Sequence, residues 1–197
     1  MKKIIIAILS LTMLFGIAGC TKSKISTNVE KNSPENTINA FFSDFKKCNF
    51  KKAENYFLNG VTPDMEIYNN FTDGEKEAIK YWTEKIGYEI VSINNEGDNA
   101  EVTVKVMALN GVKIYNQYIK DIASLKKEAK TSEEKAELNK EYDKALLKEV
   151  KNKNNDIVTT VVTVQLQNID SNWYINGDGN LLKALYGGLD PNKFITK

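Results

Sequence analysis

The chain has 197 residues, 42% of them hydrophobic, with 27 basic side chains, all of them lysine, set against 26 acidic ones. A formal net charge of +1 leaves no global field with which to hold nucleic acid, and the lack of arginine removes the bidentate fork preferred for phosphate and carboxylate recognition. Two cysteines and no histidine leave out the usual transition-metal ligand sets and the base that a catalytic thiol needs.

Lys2 and Lys3 precede an apolar run over residues 4–19, shorter than the roughly 20 residues of a permanent membrane helix. This layout predicts a secretory leader over 1–19. At its end, Ile17-Ala18-Gly19-Cys20 resembles the lipobox of bacterial lipoproteins. The resemblance implies that the Cys20 thiol carries diacylglycerol, that cleavage falls before it, and that the protein is held on the extracytoplasmic face of the cell membrane. Two or more acyl chains, at about 0.8 kcal/mol per buried methylene, make such a tether stable. Residues 20–33, "CTKSKISTNVEKNS", have almost no large apolar side chain and read as a flexible tether. With Cys20 lipidated, Cys48 has no intramolecular partner, so no disulfide is expected. Abundant lysine, asparagine and isoleucine point to an AT-rich genome of the low-GC Gram-positive kind.

A single domain is expected over residues 34–190. Ser33-Pro34-Glu35 supplies a cap, a proline at the first helical position and an acid in the first turn; Ile38, Phe41, Phe42 and Phe45 then recur on one helical face. Lys47-Cys48-Asn49 predicts a tight corner. A second helix, capped by Asn49, is expected to bury Phe50, Ala53, Tyr56 and Phe57. Thr62-Pro63-Asp64 repeats the cap-proline-acid signal for a short turn reaching Tyr68, and another helix is predicted from near Thr72 through Ile79 and Trp82.

The period then changes to two. Strands are predicted over 88–94 and 100–109, the second with Ala100, Val102, Val104, Val106 and Ala108 on one face and Glu101, Thr103 and Lys105 on the other, joined by the turn residues "NNEGDN". Residues 112–152 return to helical spacing, with Ile114, Tyr118, Ile122 and Leu125, then Leu138, Tyr142, Ala145 and Leu146. A capping box at Thr131-Ser132-Glu133-Glu134 divides them into an αα-hairpin inserted between strands. Its apolar positions suffice for one narrow seam, between the two helices or against the sheet, and not for a second core, so it is expected to be a charged accessory element, either solvated decoration or a docking surface. Residues 157–167 form a β-branched strand with Val158, Val162, Val164 and Leu166 on one face, and 173–176 its partner. A closing helix carries Leu181, Leu182 and Leu185 and stops at Gly187-Gly188.

The stretch "SPENTINAFFSDFKKCNFKKAENYF", followed by "AEVTVKVMAL" and "VVTVQLQNIDSNWYINGD", resembles small lipoproteins of the nuclear transport factor 2-like, cystatin-like superfamily over most of residues 34–187. Cys48 stands where that family usually has glycine, and Asn49 where it has an acid. The resemblance implies an α+β fold in which N-terminal helices pack on a curved antiparallel sheet, here with the helical hairpin inserted. It implies no particular activity, because relatives fill the space between helices and sheet in different ways.

No motif in the chain specifies catalysis. Ser43-Asp44-Phe45-Lys46 and Ser124-Leu125-Lys126-Lys127 match S-x-x-K without its companion motifs, and Asn176-Gly177-Asp178-Gly179-Asn180 puts Leu181 where a calcium loop needs glycine. Glu133 and Glu137 lie on a charged helical face. We therefore expect no metal, no cofactor and no enzymatic activity. The expected function is a membrane-anchored domain that binds an envelope protein or a small apolar ligand. Tyr56, Trp82, Tyr88 and Trp173 are the candidate pocket residues, since polar-tipped rings can line a cavity as well as fill a core. A hydrolase or isomerase using a pocket carboxylate is the alternative, to be recognised by an acid beside a tyrosine; a purely structural docking module is a third, favoured by a packed interior.

Overall fold

The computed structural model describes residues 32–58, 68, 70–125, 131–177 and 179–190. Among these the chain forms six helices and one four-stranded sheet: α1 (Pro34–Lys46), α2 (Phe50–Glu54), α3 (Asp73–Thr83), β1 (Gly87–Glu96), β2 (Asn99–Leu109), α4 (Gly111–Ser124), α5 (Ser132–Val150), β3 (Ile157–Ile169), β4 (Asn172–Ile175) and α6 (Gly179–Leu185). The expected leader, Cys20, most of the expected tether and the expected turn at Thr62-Pro63-Asp64 lie outside the described residues.

The first helix starts where its sequence directs. Ser33 Oγ accepts from the Asn36 amide at 3.1 Å, Pro34 occupies the first turn, and Ile38, Phe41, Phe42 and Phe45 are all buried. Thr37, also buried, donates its hydroxyl to the Trp173 carbonyl at 3.1 Å and fixes the helix to β4. The corner that follows turns on Cys48, whose φ of 58° lies in the left-handed region that favours glycine.

The second helix is shorter than its apolar spacing predicts. It ends at Glu54, and only Ala53 is buried within it. Tyr56 and Phe57 lie beyond its end, where Phe57 bridges Ile175 in parallel, the Tyr56 carbonyl accepts from the Ile175 amide at 2.7 Å, and the Leu58 amide donates back to the Ile175 carbonyl at 2.9 Å. The Tyr56 and Phe57 amides still bond the Ala53 and Glu54 carbonyls, so both rings reach the core from a turn that the edge of β4 holds in place.

The strands run in the order β1-β2-β3-β4, every pair antiparallel. Alternation sets the register. Ala100 faces Leu166, Val102 faces Val164 and Val104 faces Val162, so the apolar residues of both long strands share one side, while Glu101, Thr163 and Gln165 take the other. One irregularity interrupts β1 between Ile90 and Ser92. The tight turn into β4 holds Asp170 and Ser171 at φ 50° and 63°, the two-residue geometry that matches strand twist. Helices α1 and α6 cover the apolar side, and Gly187, at φ 56°, ends the chain's last helical segment as the sequence predicts.

The hairpin of α4 and α5 sits between β2 and β3 as predicted, with Thr131 and Glu134 forming the expected capping box. Its packing differs from the expectation of an accessory element. Ile114, Tyr118, Leu146 and Val150 join the main core, each no more than 2% exposed. Helix α5 lies along α3, where Thr72 Oγ1 donates to Asp143 Oδ1 at 2.8 Å and Lys151 pairs with Glu77. The base of the hairpin is core; its outer stretch from Thr131 to Glu137 is exposed.

Candidate functional site

All four candidate pocket aromatics are packed into the core or against it. Trp82 is 1% exposed and donates its indole N–H to the Leu185 carbonyl at 3.1 Å. Tyr88 stacks on Phe42 with ring centroids 4.0 Å apart and donates to Asn39 Oδ1 at 2.9 Å. Trp173 is buried on β4, its carbonyl held by Thr37. Tyr56 donates to Asp44 Oδ2 at 3.1 Å, and burial, reinforced by the Asp44 charge, pushes its phenol up to about 12. The polar tips of Tyr56, Trp82 and Tyr88, which a ligand would need, meet protein instead. None of the four lines the two surface cavities described below.

The chemistry-bearing motifs resolve similarly. One acid beside a tyrosine is Asp44, and its oxygens accept from Tyr56 and from Asn49 Nδ2, tying down the corner after α1. Ser43 accepts from Lys47, one residue past the lysine of its S-x-x-K match, and Ser124 donates to the Asp121 carbonyl. Glu133 and Glu137 are exposed. Among the described residues no group of three acid or cysteine side chains could hold a metal ion, and no helix is long and apolar enough to cross a membrane.

Two surface cavities stand out. The smaller, about 450 Å³, lies beside the corner and is lined by Cys48, Tyr68, Lys46, Lys76 and Lys80 among others. Cys48 is half-buried there, its sulfur 3.2 Å from Thr83 Oγ1, and burial pushes the thiol up, away from the reactive thiolate.

The larger, about 840 Å³, is a groove where the start of α4 meets the end of α5 and the loop leading to β3. Amides dominate its wall. Asn110 caps α4 by accepting from the Lys113 amide at 3.0 Å; Asn152 Oδ1 accepts from the Asn154 amide at 3.0 Å. Asn155 Nδ2 donates to the carbonyls of Glu149 and Val150, closing the end of α5. Gln117 donates to Asp121 at 2.9 Å. On the floor Glu149, 5% exposed, accepts from Lys148 at 3.0 Å, and Lys148 also reaches Asp121 at 2.7 Å. That hydrogen bond from Lys148 is the main reason the Asp121 carboxyl is held below its ordinary value.

Sequence reasoning passed over this groove. Its signal is the asparagine run Asn152, Asn154 and Asn155 in "NKNN", which reads as loop composition until the hairpin brings it against Asn110, some forty residues away.

Fold and site together define an α+β domain with helices on one side of an antiparallel sheet and an amide-lined surface groove. Comparison of the chain with protein-family models, curated proteins and solved structures finds no match.

Proposed function

We propose that this chain is a bacterial lipoprotein, anchored through diacylglycerol on Cys20, whose α+β domain acts on the extracytoplasmic side of the membrane as a non-enzymatic binding module. Its fold, in this reading, is a cystatin-like, nuclear transport factor 2-like roll with the helical hairpin inserted. The order of elements supports that assignment, with aromatic helices first and four antiparallel strands after them, as does the left-handed backbone at Cys48, the position where the family usually carries glycine. The anchor reading rests on the lipobox-like Ile17-Ala18-Gly19-Cys20.

One observation carries the binding reading over the enzymatic one. Tyr56, Trp82, Tyr88 and Trp173 meet protein partners inside the domain, and the open, polar space lies on its surface. A surface groove favours an envelope component over a small apolar ligand held inside the roll.

Metabolic labelling with a fatty-acid analogue tests the anchor: wild type takes up label and Cys20→Ala does not, whereas equal labelling overturns it. Crosslinking on intact membranes tests the binding module. Specific capture of an envelope component, lost on substitution in the groove, is the expected result.

A further inference from the structure

The groove between α4 and α5 is a hydrogen-bonding array with one half of each amide already spent. Asn110 and Asn152 use their oxygens on backbone amides and present their NH2 groups; Asn155 and Gln117 use their NH2 groups and present their oxygens. The spent half fixes the orientation of the other, so donors and acceptors stand in place before anything binds. Asn116 and Asn154 add two amides whose side chains make no hydrogen bond to the protein, and Val112, 41% exposed, adds an apolar spot.

Most of the local charges are paired. Lys113 is paired with Asp156 at 2.8 Å, and Lys148 is shared between Asp121 and Glu149, while Lys120 also lines the groove. A wall of amide donors and acceptors whose lysines are mostly paired offers little to phosphate-rich polymers and free anions. It suits groups that donate and accept at once, such as hydroxyls and amides.

We propose that this groove binds a neutral saccharide bearing acetamido groups, its hydroxyls and amides meeting the asparagines and its methyls meeting Val112. The proposal deepens the reading of the domain as an envelope-binding module and rests on it. A volume of about 840 Å³ lies within the range of small-molecule sites, roughly 300–1,000 Å³.

The test is calorimetric titration of the full chain in detergent with chitotetraose, a neutral acetamido sugar, and separately with polyglycerol phosphate. Expected is saturable binding of chitotetraose that hardly changes with salt and weakens about tenfold or more in the double variant Asn116→Ala, Asn154→Ala, the loss of one or two amide hydrogen bonds. These side chains bond nothing in the fold, so the variant keeps its melting temperature. Absence of saturable binding, equal affinity in the double variant, or preference for polyglycerol phosphate with a steep salt dependence overturns the proposal. If chitotetraose fails while membrane crosslinking still captures a groove-dependent protein, the ligand class is wrong and the binding module stands; if both fail, the broader reading falls with it.

Discussion

Cys48 concentrates the cost and the purpose of the corner after α1. A side chain at φ 58° costs about 1–2 kcal/mol relative to glycine, and the backbone accepts it because the Asn49 amide bonds the Asp44 carbonyl at 2.9 Å while Asn49 Nδ2 and Tyr56 both hold the Asp44 carboxylate. In return the thiol fills part of the space against Thr83 and Tyr68. The two effects are of similar size, so Cys48→Gly should leave stability within about 1 kcal/mol of wild type. Cys48→Val puts a β-branched side chain in the same left-handed position and should cost about 2 kcal/mol or more. Urea denaturation midpoints of the two variants check this; equal losses would mean that the lost thiol packing, and not backbone strain, dominates the site.

At the scale of elements, caps decide where helices begin, and the sequence announced them in advance. Ser33-Pro34, Thr72 with Glu75, and Thr131 with Glu134 each start a helix as their side chains require, and the alternation from Ala100 to Ala108 assigns the faces of β2 correctly. What the sequence hides is where a distant partner overrides local spacing. Phe50, Ala53, Tyr56 and Phe57 fit one helical face, yet the edge of β4, more than a hundred residues later, takes the backbone of Tyr56 and Phe57. The groove amides were hidden for the same reason, since they are caps and loop residues until two helix ends meet. Thr72 serves two purposes, capping α3 and donating to Asp143 on α5, whereas the Thr131 cap is exposed. Thr72→Ala should therefore cost about 1–2 kcal/mol and Thr131→Ala about 0.5, measured by urea unfolding; equal costs would mean that the Thr72–Asp143 contact contributes nothing. Asp121 makes a pH-dependent tie between α4 and α5. Because Lys148 holds its carboxyl below the ordinary value of 3.8, the stability it contributes is full above that value and is lost as pH falls through the lower folded one. The melting-temperature gap between wild type and Asp121→Asn should be open at neutral pH and close in acid; a gap that stays constant with pH rules the tie out.

For the molecule as a whole, the question is whether the hairpin can be removed. An accessory arm would bury its apolar residues against itself, leaving the sheet and its other helices to keep a core of their own. Here Ile114 and Tyr118 on α4, with Leu146 and Val150 on α5, are part of the same core that α1, α3 and α6 build on the sheet. At about 1.5–3 kcal/mol each, those four side chains contribute roughly 6–12 kcal/mol of burial, comparable to the whole net stability of a typical domain, about 5–15 kcal/mol. The junction adds a steric constraint. Gly111, the first residue of α4, sits so close to the Tyr186 carbonyl that a Cβ there would approach it to 2.1 Å, and the Trp82 ring closes over the same point. Helix α3 also loses its neighbour if α5 goes, since Thr72 and Glu77 are bonded to Asp143 and Lys151. Replacing residues 112–152 with a short glycine-containing turn should therefore abolish cooperative unfolding and the near-ultraviolet circular dichroism of the packed aromatics. Removing only residues 125–137, which include the exposed first turn of α5, and rejoining the helices should preserve both. A full deletion that still unfolds cooperatively, with the wild-type aromatic signal, would show that the hairpin is a separable arm and that its four buried residues are dispensable to the core.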